Sequence, residues 1–273
     1  MSVPDTGTKQ FSVALPDGAN IAVTEQGTGD ALLCISGLGG TASFWNPCIA
    51  AFASKHQTIS LDQRGIAASS RGQAACTIDQ LAADCIAVLD ACGVQKVKVI
   101  GHSTGGCIAQ TMALSHPERV TALVLSGTWA RPNRYMQELF KLRRGLLRSN
   151  PLEYASSAAF LSYESAWLNA NWAIYESALA GAPVEAPAQQ ILQERIDALM
   201  KFDRKDELNR LTMPCLILGA RDDLMIPSFL QEELAAAVPG SALQIFNHGG
   251  HFFPLSRKEG FTHTVLKWFE TLR

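Results

Sequence analysis

The apolar run Val97-Lys98-Val99-Ile100 leads without a spacer into Gly101-His102-Ser103-Thr104-Gly105, and a helical pattern over 107–114 follows at once. A strand that reverses into a helix over so few residues leaves little choice of architecture. The central residue must take a strained backbone conformation, and side chains two before and two after it would strike the neighbouring strand and helix. Glycine stands at both places. Gly-x-Ser-x-Gly between strand and helix is the pattern of a nucleophile elbow. It sets Ser103 at a helix N-terminus, where free N–H groups and the positive dipole end can receive an oxyanion.

The rest of the chain reads as a scaffold for such a turn. Ala31-Leu32-Leu33-Cys34-Ile35, Ala122-Leu123-Val124-Leu125 and Cys215-Leu216-Ile217-Leu218 are continuous apolar runs, as in strands covered on both faces. Thr58-Ile59-Ser60-Leu61 and Leu243-Gln244-Ile245-Phe246 predict further strands, and Pro16-Asp17-Gly18 predicts a hairpin between 11–15 and 21–24. Helices are expected around 44–54, after the capping-box pair Thr77 and Gln80 with a stop at Gly93, and over 258–271. Repeated βα units of this kind build a mostly parallel α/β sheet with helices on both faces. From 129 to 209 the strand rhythm is absent and aromatic-rich helical patterns take over. The expected organisation is a core of residues 1–128 and 210–273 with a helical cap, 129–209, over the sheet's C-terminal edge, where such sheets bind ligands.

Composition narrows the function. Of 273 residues 47% are hydrophobic, enough for a substantial core, and a net charge of −2 with no dense Lys/Arg block argues against a nucleic-acid surface. The densest basic run, Lys141-Leu142-Arg143-Arg144, reads as a solvated helix face, with an anionic substrate as the sharper alternative for its arginines. Met1-Ser2-Val3-Pro4-Asp5 has neither a basic nor an apolar leader pattern, and no apolar run reaches the roughly 18 residues of a membrane span. The seven cysteines lack C-x-x-C spacing and fall mostly in apolar patterns, which suits reduced core thiols in a cytoplasmic protein. No metal or cofactor is called for.

A serine needs a base, and the base needs an acid to orient it. Downstream, the strand ending at Leu218-Gly219 opens into Ala220-Arg221-Asp222-Asp223, and the strand ending at Phe246 opens into Asn247-His248-Gly249-Gly250-His251-Phe252. Both loops fall on the same sheet edge as the elbow, in the chain order Ser, Asp, His. Adjacent Asp222 and Asp223 point different ways, so only one can serve. His251 is preferred over His248 because the glycines before it permit a tight approach to the elbow. His102 reads as a packing position. The oxyanion donors are expected to be the N–H groups of Thr104 and of Leu38, in the loop Ser36-Gly37-Leu38-Gly39-Gly40. That loop also satisfies a dinucleotide pattern, Gly37-Leu38-Gly39-Gly40-Thr41-Ala42, with Asp62 twenty residues further on. A nucleotide site would leave Ser103, Asp223 and His251 unexplained.

With Ser36-Gly37-Leu38-Gly39, Asp62-Gln63-Arg64-Gly65, the elbow, Asp222-Asp223 with Pro227, and Gly249-Gly250-His251 in place, the chain resembles the α/β-hydrolase superfamily over nearly its whole length. The resemblance implies an eight-stranded α/β-hydrolase fold. It places the acid four residues before the proline, which selects Asp223. Ser36 is a departure, since many members carry His there. Within the superfamily the chain is similar to small hydrolases of the aminoacrylate hydrolase type of the Rut pathway, and next to 3-oxoadipate enol-lactonases. The first likeness rests on Trp129-Ala130-Arg131-Pro132-Asn133, Arg143 with Leu146-Leu147, and Phe160-Leu161-Ser162-Tyr163 with Trp167.

The expectation is a serine hydrolase that cleaves a small carboxylic ester, lactone or activated amide through an acyl-enzyme, with Ser103, His251 and Asp223 as the triad. Trp129, Arg131 and Phe252 are expected to wall the substrate pocket, and Arg131 or Arg143 to hold a substrate carboxylate. Rival readings on the same residues are a C–C bond hydrolase, a lyase or cofactor-free oxygenase using His251 as general base, and a small-molecule receptor. Expected partners are a small-molecule substrate and neither nucleic acid nor membrane; the cap leaves a homodimer open.

Overall fold

The computed structural model describes residues 7–272; the reading of the first five residues lies outside them. Eight strands form one sheet: β1 (Lys9–Ala14), β2 (Asn20–Gln26), β3 (Ala31–Ile35), β4 (Gln57–Leu61), β5 (Val97–His102), β6 (Val120–Ser126), β7 (Cys215–Ala220) and β8 (Ala242–Phe246), in the order β1-β2-β4-β3-β5-β6-β7-β8. Only β2 runs against its neighbours; the pairings from β4 to β8 are parallel. Parallel strands share one C-terminal edge, so the loops after β3, β5, β7 and β8 gather there.

The helices are α1 (Asn46–Ala53), α2 (Ile78–Ala91), α3 (Thr104–Ser115), α4 (Arg134–Ser149), α5 (Pro151–Ser162), α6 (Ser165–Ala170), α7 (Ala173–Ala180), α8 (Ala186–Lys201), α9 (Phe229–Ala237), α10 (Phe253–Ser256) and α11 (Lys258–Glu270). Alternate residues of each central strand enter opposite cores. Leu33 and Ile35, Val99, Leu123 and Leu125, and Ile217 pack with Leu81, Cys85, Ile108 and Met112 of α2 and α3. Leu32, Cys34, Ile100, Val124 and Leu218 pack with Phe52 of α1 and Phe261, Val265 and Phe269 of α11. All seven cysteines are free. No helix among the described residues is long and apolar enough to cross a membrane.

Helices α4 to α8 fill the interval between β6 and β7. One side chain sets the corner between two of them. Asn150 ends α4, and its side chain accepts the Glu153 N–H at 3.3 Å to cap α5, with Pro151 at the first helical position. Two local expectations need correction. Residues 42–45 form a 3-10 turn, and the α-helix begins only at Asn46, where Pro47 can stand without an N–H. The Thr77 side chain caps α2 through the Gln80 N–H at 3.0 Å, but the Gln80 amide donates to Asp84 at 2.8 Å rather than reaching back to Thr77.

Asp84 explains that preference. Buried Arg64, in the loop after β4, donates to both Asp84 oxygens from Nε (2.8 Å) and Nη2 (2.7 Å), and also to Asp17 and the Arg71 carbonyl (3.0 Å). One guanidinium therefore ties the β1–β2 turn, the β4 exit and α2 together. Removing Asp84 would take from Arg64 its fully buried partner and leave only the part-exposed Asp17 and a carbonyl against the charge. Asp84→Ala is expected to lower the unfolding free energy by about 3–5 kcal/mol in urea melts. A loss within about 0.5 kcal/mol, the size of an ordinary surface substitution, would contradict this role.

Candidate active site

Strand β5 delivers Ser103 into a backbone conformation (φ 55°, ψ −123°) that L-residues seldom adopt. The turn is fixed on both sides: the Ser103 N–H donates to the Ser126 carbonyl of β6 at 2.8 Å, and the Ser103 carbonyl accepts from the Gly106 N–H at 2.8 Å. A Cβ at Gly101 would lie 2.3 Å from the Gly105 carbonyl oxygen, and one at Gly105 would lie 2.2 Å from that of Ile35. Both separations are impossible, so the two glycines are demanded by contact with helix and strand, as the motif predicts. Such a conformation costs on the order of 1–3 kcal/mol and persists only where the surroundings over-determine it.

The loops after β7 and β8 bring an acid and a base to the same edge. His251 Nδ1 lies 2.8 Å from Asp223 Oδ2, and Asp223 Oδ1 accepts the N–H groups of Met225 and Ile226, both at 2.8 Å. Asp223 is fully spent on orienting the ring and its own loop. A proton held on Nδ1 leaves Nε2 as the basic nitrogen. The neighbouring Asp222 has separate work: its two oxygens accept from Gly249 (3.1 Å) and Gly250 (3.0 Å), which shapes the segment carrying His251.

The glycines before His251 allow a close approach to a second surface besides the elbow. At Gly250 (φ 67°) a Cβ would meet the Ser162 carbonyl at 2.5 Å, and the Phe252 N–H donates to that same carbonyl at 2.8 Å. The loop is thus docked on the C-terminal end of α5 as well as on the elbow, where the His251 ring lies 4.8 Å from that of His102. His248 is exposed and lies 3.1 Å from Glu164, which also accepts from Arg257 at 2.6 Å.

His102 is fully buried, stacked on Phe44 at 5.0 Å and tilted by 41° against the His251 ring at 4.8 Å, with Nδ1 3.0 Å from the Ser126 hydroxyl. Burial, reinforced by His251, holds its pKa well below the ordinary histidine value. His102 therefore stays neutral. An unfolded chain takes up this proton as pH falls below about 6.5 while the folded protein does not, so folding stability is full above that pH and declines below it. His102→Asn is expected to flatten the acid-side slope of stability against pH by up to about 1.4 kcal/mol per pH unit, measured by urea melts between pH 7 and 5. An unchanged slope would contradict the neutral assignment.

Ser103 and His251 open into one cavity of about 870 Å³, whose wall includes Leu38, Arg143, Tyr163 and Phe252. Neither the Leu38 nor the Thr104 N–H is engaged by another described residue. Of the residues expected to wall the pocket, Phe252 does so. Trp129 is buried in the core beside β6, away from the cavity lining. Arg131 turns to the surface, where it pairs with Asp203 (2.7 Å) and Asp206 (3.1 Å). Asp62, the acid of the dinucleotide pattern, accepts the N–H groups of Ala42 (2.8 Å) and Ala68 (3.2 Å), and so holds loops.

Two arginines depart from expectation. Arg143 is only 3% exposed, within the basic run read as a solvated face. Its guanidinium lies over the Tyr154 ring at 4.7 Å and reaches the Met225 sulfur at 3.5 Å, while Nε has no partner and no carboxylate among the described residues pairs with it. Arg195 of α8, which the motifs did not single out, is 1% exposed and donates into the loop after β3. The available signal was position. Phe140, Arg143 and Leu147 share one helical face, as do Ile191, Arg195 and Leu199, so each arginine stands in an apolar row.

The family model for the alpha/beta hydrolase fold matches residues 30–258. The chain is 34% identical over 241 residues, 88% of its length and 91% of the relative's, to the protein named "Putative carbamate hydrolase RutD" of Azorhizobium caulinodans. It is 32% identical to the protein of the same name from Stutzerimonas stutzeri, over 86% and 89% of the two chains. Among solved structures it is similar to the enol-lactonase of Burkholderia xenovorans LB400, with a TM-score of 0.86 at 20% identity over 95% and 100% of the two chains, a likeness of fold. The matched family, the elbow serine and the His251–Asp223 pair agree: the chain belongs to the alpha/beta hydrolase family and is a hydrolytic enzyme.

Proposed function

We propose that Ser103 is the nucleophile, His251 the general base and acid, and Asp223 the residue that holds the His251 tautomer. One observation carries the reading: a strained elbow serine shares a cavity with a histidine whose far nitrogen is hydrogen-bonded to a buried carboxylate. Ser103 Oγ attacks the carbonyl carbon as its proton passes to His251 Nε2. The oxyanion is received by the N–H groups of Leu38 and Thr104, both unspent on other described residues. His251 then protonates the leaving group as its bond to the carbonyl carbon breaks. Water attacks the acyl-enzyme, gives its proton to His251, and the collapsing intermediate returns Ser103 with release of the acid.

The substrate in this reading is a small ester, lactone or activated amide that carries a negative charge. Support comes from Arg143, a buried cation without a carboxylate partner in the cavity that Ser103 lines. A guanidinium in that position suits a carboxylate or carbamate oxygen pair, and relatives named for carbamate hydrolysis agree with it. Phe252 and Tyr163 supply the apolar wall, Arg143 rather than Arg131, of the two arginines expected to hold a substrate carboxylate, takes that part, and the insertion 129–209 serves as the cap. Seven free cysteines support a reducing, cytoplasmic location.

Ser103→Ala is expected to lower kcat by on the order of 10⁴-fold or more without changing the circular dichroism spectrum, and wild type alone should be labelled at Ser103 by a fluorophosphonate. Near-full activity in the variant would end the covalent reading. Arg143→Met is expected to raise KM for an anionic ester such as p-nitrophenyl hemisuccinate by roughly 10- to 100-fold, the weight of a charged hydrogen bond, and to spare p-nitrophenyl acetate. Equal effects on both esters would remove the anion subsite.

A further inference from the structure

We propose that Arg195, reaching from the cap, is a positioning residue that aims and polarises the oxyanion donor of Leu38; this rests on the serine-hydrolase reading above. Its Nε donates to the Leu38 carbonyl at 2.8 Å, and its Nη2 donates to the Gly37 carbonyl at 3.2 Å and to the Gln63 side-chain oxygen at 2.6 Å. Gln63 completes the frame: its amide donates to the Ser36 carbonyl at 2.7 Å, and its backbone N–H donates to the Gly40 carbonyl at 2.7 Å. The carbonyls of Ser36, Gly37, Leu38 and Gly40 are thus all held by one Arg–Gln pair.

The direction of the Leu38 N–H follows from peptide geometry. The Gly37 carbonyl and the Leu38 N–H belong to one planar trans peptide and point opposite ways. Fixing the carbonyl on Arg195 turns the N–H to the other side of the loop. The loop also runs close to the elbow, for a Cβ built on Gly37 would lie 3.0 Å from Ser103 Cβ and 3.5 Å from its Oγ.

Charge supplies the second half. Arg195 has no acidic partner among the described residues: its helix neighbours Glu194 and Asp197 turn instead to Arg71 (2.6 Å) and Arg144 (2.7 Å). Burial lowers its pKa, yet a guanidinium keeps its proton throughout the working range. A buried cation without a counter-ion is unfavourable until a negative charge reaches it. The negative charge it can meet forms when the substrate carbonyl becomes an oxyanion. A cation on the oxygen of a peptide makes the N–H of that peptide a stronger donor, so the gain falls in the transition state and not in substrate binding.

The test compares Arg195→Met with Arg195→Lys on p-nitrophenyl acetate, a neutral ester that makes no use of Arg143. The methionine variant should lose roughly 10- to 100-fold in kcat, with KM within about threefold, and bind an alkyl boronic acid more weakly by the same factor as the loss in kcat/KM. Lysine, which keeps the charge, should recover part of each. A folded Arg195→Met enzyme with kcat within about twofold of wild type would overturn the proposal, and so would a loss confined to KM or one as large in the lysine variant. If the methionine variant does not fold, Arg195→Gln against Arg195→Lys makes the same comparison. Fluorophosphonate labelling of wild type separates the two readings. Labelled wild type with an indifferent Arg195 variant sinks this inference alone, whereas unlabelled wild type sinks the nucleophile.

Discussion

The active-site edge of this molecule depends on space that is absent. Between β5 and α3 the chain turns so sharply that the carbonyls of Gly105 and Ile35 occupy the positions where side chains of residues 101 and 105 would begin. Ser103 is then left with one backbone conformation, held by β6 on one side and the first turn of α3 on the other. The local strain is carried by the packed sheet, whose central strands are buried on both faces. A rigid scaffold and a strained turn are two aspects of the same packing.

Around that turn, buried charge is used in two ways. Arg64 is neutralised by Asp84 and Asp17 and joins pieces of chain that are distant in sequence. Arg143 and Arg195 are equally buried but have no acid beside them. Leaving a cation unpaired inside a protein is unfavourable unless a partner arrives, and both arginines sit near the place where reacting groups would carry negative charge. The adjacent carboxylates divide their labour in a similar way. Asp223 orients an imidazole, while Asp222 closes the loop that presents it. Either role exchanged for the other would misplace His251.

Much of this was legible because strand ends mark themselves. The elbow, the Asp222-Asp223 loop and the His251 loop each follow an apolar run, and parallel strands bring their ends to one edge whatever lies between them. The choice between Asp222 and Asp223 was not readable from residue type, since both are carboxylates that accept hydrogen bonds at the same loop and differ in where that loop turns each of them. Trp129 and Arg131 show a second limit. The exit of β6 leads into helices α4 to α8, but the direction of each side chain depends on packing partners such as Asp203 and Asp206, which are remote in sequence. Arg195 was hidden, and the burial of Arg143 was not foreseen even though it was named as an anion-holding candidate, because charge on a helix ordinarily means solvent. Their positions within apolar rows outweighed their polarity.

The hydrogen bond from Phe252 to the last residue of α5 limits how modular this protein can be. Hydrolases on related scaffolds could diversify by exchanging the insertion above a constant sheet, provided the insertion touched only the ligand. Here the insertion also clamps the backbone beside the imidazole, and from α8 it grips the loop facing the serine. A chimera carrying a foreign insertion would inherit a sheet with its catalytic segments unsupported at both points. Divergence in substrate range is then expected to proceed by replacing other side chains within the insertion, with the Ser162 carbonyl and the Arg195 guanidinium left in place.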